Sequence, residues 1–337
     1  MKSNKTYTDC HTAFNAVSPE IIEIPHQVRY DSDTVRYDIN NSKIKISNSK
    51  TTVSKTTIIM LAPWVIIFFV FWLYPLLFTG YLSLTKYNSL TNVSEFIGLK
   101  NYVRMFDDAI FWKALKNTIV FTLGTVPFTT ALAIFTASLL NSKIVKYKDF
   151  FRASFFLPTI TSLVVISLIF TNLYAKNGYV NFILGTLGLP FPERGWLLDP
   201  NTSLLAIMLM DIWSAFGYYM VIFLAAMQAI PKSMYDAAKI AGASHFYTLL
   251  RITIPLLKPT LIFVLVINVI KSFQVFMEIY IMTKGGPLHS TTTLVYMIFT
   301  NAFEKTDAMG YAAAISYFLF FILLIISFIQ IKLLRSK

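Results

Sequence analysis

Across 337 residues the chain is 55% hydrophobic and 16% aromatic but only 14% charged, and its mean hydropathy is +0.60. Soluble domains carry about 25% charged residues, so a water-soluble globule is excluded, since its core has no place for this much apolar surface. A formal net charge of +12 does not mark a nucleic-acid binder either, because the bases are dispersed among polar stretches and do not line one stripe with interleaved aromatics.

Residues 1–54 are polar, rich in Ser, Thr, Asn and Asp, and lack sustained apolar spacing of period 2 or 3.6; they read as a disordered cytoplasmic tail. Cys10, the single cysteine, allows no intramolecular disulfide and no thiol metal cluster, and no apolar stretch precedes it as a cleaved leader requires. The tail holds a tandem echo, Val28-Arg29-Tyr30-Asp31 and then Val35-Arg36-Tyr37-Asp38, read as a local duplication in preference to a docking motif.

A helix that crosses a membrane needs about 20 predominantly apolar residues. Windows free of Asp, Glu, Lys and Arg run Ile58–Leu84, Asn117–Leu140, Ala153–Ala175, Ile212–Pro231 and Ala308–Ile331. A sixth, Pro259–Thr283, is interrupted only by Lys271 and Glu278, and extending the fourth window back to Asn201 takes in Asp211. The expected fold is all-α and integral to a membrane, with six transmembrane helices. The first lies over residues 58–84 and an extracytoplasmic loop over 85–114. Five more helices are expected near 115–140, 152–175, 201–230, 259–283 and 308–332, and then a cytoplasmic end at 332–337. Bases near the spans divide fifteen to nine in favour of the face that holds both termini, which the positive-inside rule assigns to the cytoplasm. Tyr102, Phe111 and Trp112 suit an interface belt on the outer side, and the turn-rich stretch 176–200 is expected there too.

Three charges fall inside these spans. Lys271 and Glu278 are seven residues apart, about two helical turns, and so are expected on similar faces of the fifth helix. A central charge facing lipid costs roughly 2.5–3.5 kcal/mol on insertion scales, so both are expected to face the bundle, with Asp211 as the best partner. Two readings stay open: a buried Asp211–Lys271 pair that joins the fourth and fifth helices, or polar groups lining a path for a hydroxyl-rich solute.

The stretch from Ile230 to Lys258 is too polar for lipid, yet it is patterned. Pro231 breaks the fourth helix, and Ser233 with Asp236 has the spacing of a capping box. A short helix with small residues Ala237, Ala238 and Ala241 is expected to stop at Gly242, which suits a left-handed C-terminal position. Ser244 is placed to cap a second short helix ended by Pro255. The expectation is a helix-turn-helix across the cytoplasmic face, where Ala and Gly permit close backbone approach by a partner.

The run Tyr235-Asp236-Ala237-Ala238-Lys239-Ile240-Ala241-Gly242-Ala243, followed by Ile252-Thr253-Ile254-Pro255, resembles the EAA loop of ABC importer permeases. The resemblance extends from Ile58 to the C-terminus through Gly98-Leu99-Lys100-Asn101-Tyr102, Phe151-Arg152 with Phe155-Phe156-Leu157-Pro158, Gly285-Gly286-Pro287 and Met309-Gly310-Tyr311. These runs are similar to the carbohydrate-uptake branch, sugar and glycerol-phosphate, of the binding-protein-dependent family. That pattern usually has Glu where this chain has Asp236 and Asp where it has Ala241; the first change keeps the charge and the second removes an acid.

The resemblance implies a type I ABC importer permease fold, with a core domain over residues 115–331 and the first helix outside it, in a bacterial inner (plasma) membrane, surrounded by lipid. It implies three kinds of partner: a second permease subunit in a heterodimer, a cytoplasmic ABC ATPase dimer and an extracytoplasmic solute-binding protein. ATPase coupling falls to Ser233, Tyr235, Asp236, Ala237, Ala238, Gly242, Ala243, Ile252 and Pro255. The implied solute is a sugar or related polyol, with glycerol-3-phosphate or another small polar solute as the alternative.

No Gly-x-x-x-x-Gly-Lys-Ser/Thr loop occurs, so ATP hydrolysis is expected in a separate subunit, and no cofactor or metal is expected in this chain. His11, His26, His245 and His289 all fall in the tail or in loops, and neither His-Glu-x-x-His nor Gly-x-Ser-x-Gly occurs, which speaks against a membrane enzyme. An ion-coupled carrier or channel is the reading from another class, with Asp211, Lys271 and Glu278 as a relay. Because residues 1–54 have no apolar face, their removal is expected to leave expression and uptake nearly intact; loss of both in a truncated chain assayed in whole cells would give the tail a role.

Overall fold

A computed structural model describes residues 35–38, 43–46, 55–88, 91, 93–142 and 145–335. The chain divides into two units, residues 1–68 and 69–337. In the first, β1 (Val35–Asp38) pairs antiparallel with β2 (Lys43–Ile46), which sets Val35 opposite Ile46 and Tyr37 opposite Ile44. Val28–Asp31 and the other residues of the expected disordered tail lie outside the described residues. Helix α1 spans Lys55–Phe68.

The second unit opens with a wide π turn at Phe69–Leu73 and helix α2 (Tyr74–Ser83). A hairpin of β3 (Thr85–Asn88) and β4 (Val93–Phe96) follows, with Lys86 opposite Glu95. Then come α3 (Lys100–Asp107), α4 (Ala109–Asn141), α5 (Lys148–Ile160), α6 (Leu163–Leu173), α7 (Tyr179–Thr186) and α8 (Ser203–Gln228). A short pair, α9 (Lys232–Ile240) and α10 (His245–Thr248), runs through a π turn at Leu249–Thr253 into α11 (Ile254–Leu256). Last are α12 (Lys258–Phe273), α13 (Met277–Met282), α14 (Leu294–Phe299), a π turn at Thr300–Glu304, and α15 (Met309–Arg335).

Among the described residues five helices are long and apolar enough to cross a membrane: Ile59–Ser83, Ala109–Asn141, Ser203–Gln228, Lys258–Met282 and Met309–Lys332. The window read as a third continuous helix is instead the pair α5 and α6, bent by 94°. Pro158 has no N–H to continue the ladder, and Thr161 is extended at φ −78°, ψ 144°. The fifth expected helix is also interrupted, at residues 274–276, so Lys271 and Glu278 sit on different helices, α12 and α13, and the heptad argument for a shared face does not apply. Helix α4 begins at Ala109, ahead of the expected residue 115, because the Asp108 carboxylate accepts the Ile110 N–H at 2.8 Å and caps it. The hairpin, α3, α7 and α14 lie between spans and were not foreseen.

Lipid is as apolar as leucine, so helices in a bilayer associate through close packing of small residues and through interhelical hydrogen bonds. Both are present. Ala133 and Ala137 of α4 share a buried cluster with Ala215, Tyr219, Met220 and Phe223 of α8. Gly217 of α8 lets the backbone of α5 approach so closely that a Cβ there would strike the Phe155 carbonyl oxygen, and beside it Thr159 Oγ1 donates to Ser214 O at 3.0 Å. Thr125 of α4 and Ser272 of α12 share a 2.9 Å hydroxyl bond. Meanwhile α4 turns Ile119, Val120, Leu123, Phe128, Leu132 and Phe135 outward, an apolar stripe suited to lipid.

Gly217→Ala overpacks this contact. It is expected to cost about 1–3 kcal/mol, read as a lower midpoint in thermal unfolding of the purified chain, whereas Gly188→Ala, where nothing lies within 4 Å, should lower it by only its backbone strain.

Candidate functional site

Pro231 (φ −57°, ψ 132°) precedes α9 directly, and the helix starts at Lys232. Ser233 therefore lies inside the first turn and makes no capping bond; the capping box expected from Ser233 and Asp236 does not form, because the fixed φ of proline already sets the entry one residue earlier. The other end behaves as expected. Gly242 is left-handed at φ +72°, its N–H reaches Lys239 O at 3.0 Å, and the Ala243 N–H reaches Ala238 O at 2.9 Å. Those two bonds are a Schellman closure. Ser244 Oγ then accepts the Tyr247 N–H at 3.2 Å and caps the second helix. That helix does not end at Pro255: it runs on through Leu256, with the π turn at Leu249–Thr253 ahead of the proline to accommodate its missing N–H.

Few side chains fix this pair to the bundle. Ala238, Thr253 and Leu257 are buried, and Thr253 Oγ1 donates to Tyr235 Oη at 3.4 Å, which ties the two short helices together. Ser233, Asp236, Ala237, Gly242 and Pro255 are exposed, while Tyr235, Ala243 and Ile252 are half-buried. Ile240, Phe246 and Tyr247 point outward as well, Ile240 at 89% exposure. These three exposed apolar side chains stand beside an open glycine, Gly242, at which nothing lies within 4 Å. The sequence signal for Ile240 was an apolar residue at the polar end of a capped helix, and it was not singled out.

Within the spans, Lys271 Nζ stands 3.5 Å from Asp211 Oδ1. Asp211 is buried, whereas the Lys271 side chain is 48% exposed. Glu278 is buried on the far side of the 274–276 break, and Asp211 and Lys271 are both within electrostatic reach of it. On α12 the exposed residues Pro259, Phe263 and Lys271 fall within about 120° of one another at 100° per residue, so Lys271 reaches the buried Asp211 from an open face.

Above this level lies a hydroxyl-rich loop that was not foreseen as a unit. Asn117 Nδ2 donates to His289 O at 2.9 Å and Thr292 O at 3.0 Å, Ser203 Oγ meets Ser290 Oγ at 2.9 Å, and Thr293 Oγ1 donates to Val275 O at 3.1 Å. Lys284, Leu288 and His289 are held at φ near +50 to +60°, a conformation that L-residues adopt only where the surroundings over-determine it. Tyr296 packs beneath Gly285, and burial, ahead of the nearby Glu304, pushes its hydroxyl above the usual range, so it stays neutral.

Long apolar helices with intramembrane charges enclosed among them define a multi-pass helical membrane protein. The chain belongs to the family described as binding-protein-dependent transport system inner membrane component, whose pattern it matches over residues 129–334, more than half its length. It is 36% identical over 281 residues to the lactose transport system permease protein LacF of Rhizobium radiobacter, covering 83% of this chain and 94% of that one. It is 34% identical over 267 residues to the multiple sugar-binding transport system permease protein MsmF of Streptococcus mutans, covering 79% and 91%. A solved bacterial ABC transporter involved in the import of the acidic polysaccharide alginate superposes with a TM-score of 0.71 at 25% identity, covering 83% of this chain and 95% of that one. The fold is that of a type I ABC importer permease, and these relatives are permease subunits, not enzymes.

Removing one partner of the intramembrane pair strands the other. Lys271→Met leaves the Asp211 carboxylate buried and unpaired and is expected to cost about 1–2 kcal/mol, less than the roughly 3–5 kcal/mol of a fully enclosed pair because Lys271 is half exposed. The double variant Asp211→Asn with Lys271→Met should recover yield and thermal midpoint if the pair is a tie between α8 and α12. Full stability of the single variant with altered solute preference would instead make Lys271 part of the path.

Proposed function

We propose that this chain is one half of the transmembrane pathway of an ABC importer for a sugar or related polyol, and that Lys232–Leu256 is the surface on which a cytoplasmic ATPase docks. The observation that carries the docking reading is the exposed ridge Asp236–Ala243: a Schellman-closed helix end with no side chain at Gly242, Ala237 beside it, and Ile240 in water. Such a ridge lets a groove close around the backbone, and Pro231, the Thr253–Tyr235 bond and Leu257 fix its angle to α8 and α12. Asp236 offers the charge at the ridge, and Ala241 keeps it thin where a second acid is usual.

Parity supports counting the bent pair α5 and α6 as one crossing, six in all. The N-terminal ends of α4 and α8 both bond to the 283–293 loop through Asn117 and Ser203, so the two helices run the same way, and the chain between them has to return across the bilayer. Helix α12 runs opposite to α4, since Thr125 pairs with Ser272 while Asn117 meets the loop beyond α13. Six crossings return both termini to one face, and the basic residues Lys146, Lys148, Lys232, Lys239, Arg251 and Lys258 lie at that face, which makes it the cytoplasmic one.

In this reading the chain sits in a bacterial inner membrane and holds no cofactor. It works with an ATPase dimer, a second and different permease, and an extracytoplasmic binding protein. Names of relatives that carry lactose and multiple sugars support the solute class, and the half-open Lys271, paired to the buried Asp211, and the exposed Gln274 suit hydroxyl-rich cargo.

Gly242→Trp is expected to insert and elute normally while ATP-driven uptake in reconstituted vesicles falls at least about tenfold, the loss expected when a central contact is blocked. Because the left-handed φ strains any L-residue by about 1–2 kcal/mol, Ile240→Asp serves as an unstrained companion and should release the ATPase on size exclusion. Normal transport with the ATPase retained in both variants would remove the docking assignment.

A further inference from the structure

The ends of three spans meet around α3. Asn101 Nδ2 donates to Ser83 O and Thr85 O, both at 2.9 Å, at the end of α2. Asp108, one residue past α3, caps α4 and accepts from Tyr311 Oη at 2.8 Å, at the start of α15. Gly310 lies against the Thr85 carbonyl so tightly that a Cβ would overlap it. Since α2, α4 and α15 all begin or end here, α3 lies at the level where hydrocarbon gives way to water.

This eight-residue helix has three faces. Asn101 and Met105 are buried. Leu99, Val103 and Phe106 are exposed and continue into the exposed Ile110 and Trp112 of α4, so one apolar strip runs from α3 down onto the lipid-facing side of a span. Between them, Lys100, Val103, Arg104, Asp107 and Asp108 line a shallow concavity of about 660 Å³. Lys100, Arg104 and Asp107 are exposed, and among the described residues none of them is in an ion pair. Both oxygens of Asp108 are engaged, one by the Ile110 N–H and one by the Tyr311 hydroxyl, and the Arg104 guanidinium is positioned 4.4 Å over the Tyr311 ring.

From this arrangement we propose that the concavity is a lipid site for a phosphoethanolamine headgroup. Lys100 and Arg104, one turn apart, present two cations to a phosphate, and Asp107, three residues beyond Arg104 on the same side, presents a free carboxylate to a primary ammonium. The two cations balance the two carboxylates, so the site is neutral and matches a zwitterion better than an anionic lipid. The apolar strip from Leu99 to Trp112 gives the acyl chains a surface beside the headgroup, as aromatic and basic anchors do at membrane interfaces. Asp107 sets the discrimination: a primary ammonium donates hydrogen bonds to it, and a trimethylammonium has none to donate.

The test uses the full chain purified in detergent with its transporter partners, delipidated, and titrated separately with phosphatidylethanolamine, phosphatidylcholine and phosphatidylglycerol under native mass spectrometry. Wild type is expected to retain phosphatidylethanolamine about fivefold better than phosphatidylcholine, the ratio one hydrogen bond confers, and better than phosphatidylglycerol. Asp107→Asn should abolish the preference over phosphatidylcholine, and Lys100→Ala should weaken retention of all three; neither side chain supports the fold, so elution and thermal midpoint serve as controls. Equal retention of the three lipids by wild type, or an unchanged preference in Asp107→Asn, overturns the assignment. So does a Lys100→Ala chain that keeps the preference but loses capture of the binding protein in lipid-free detergent, which would give this face to a soluble partner.

Discussion

A backbone carbonyl or amide inside hydrocarbon has no water to turn to, and three departures from straight helix among the described residues are arranged around that constraint. At the 94° bend between α5 and α6, Thr161 Oγ1 donates to Leu157 O at 2.9 Å and the Thr161 N–H to Pro158 O at 3.2 Å. At the 274–276 break, the freed Val275 carbonyl takes a hydroxyl from Thr293. The strained 283–293 loop is clamped by Asn117, Ser203 and its own threonines. Threonine recurs at these points because it can bond back into a helix or across to a neighbour with one small group.

Helices α4 and α8 pack closely through Ala133, Ala137 and Ala215, whereas α12 leads at one end through α13 to the clamped loop and at the other to the exposed helix pair 232–256. Under the proposed docking, a push on that pair would reach α8 through Pro231 and α12 through Leu257, the two helices that carry Asp211 and Lys271. The charge pair thus spans the joint through which such a push would act.

Spans were readable as charge-free windows because the bilayer imposes a length, and the Asp211–Lys271 contact was readable because a lone charge in lipid demands a partner. Gly242 was readable too, since a left-handed turn after a short helix is the preference of a single residue. Interruptions were less so. Pro158 announces a break, but the close seat of α5 against Gly217, 59 residues further on, is a tertiary contact that no local pattern shows. Residues 274–276 contain neither Gly nor Pro, and their break is explained only by Thr293 waiting for the Val275 carbonyl. Ser233 failed as a cap because Pro231 had already set the entry. The helices α3, α7 and α14 are too short to impose a period, and their tertiary contacts make them.

Tyr317 Oη donates to Leu76 O at 2.6 Å, and Gly80 leaves room for that hydroxyl. The two residues are 241 positions apart, so during synthesis at about 5–20 residues per second the α2 carbonyl exists for roughly 10–50 s before its donor has been translated. Over that interval the emerging helix is tied only at its far end, where Asn101 donates to Ser83 O, and its remaining length has lipid and the insertion machinery for company. Its outward-facing Tyr74, Leu77, Phe78 and Tyr81 suit such a solitary start, and a ribosome stalled before Tyr317 would release a chain whose opening helix is inserted but not yet locked to its last.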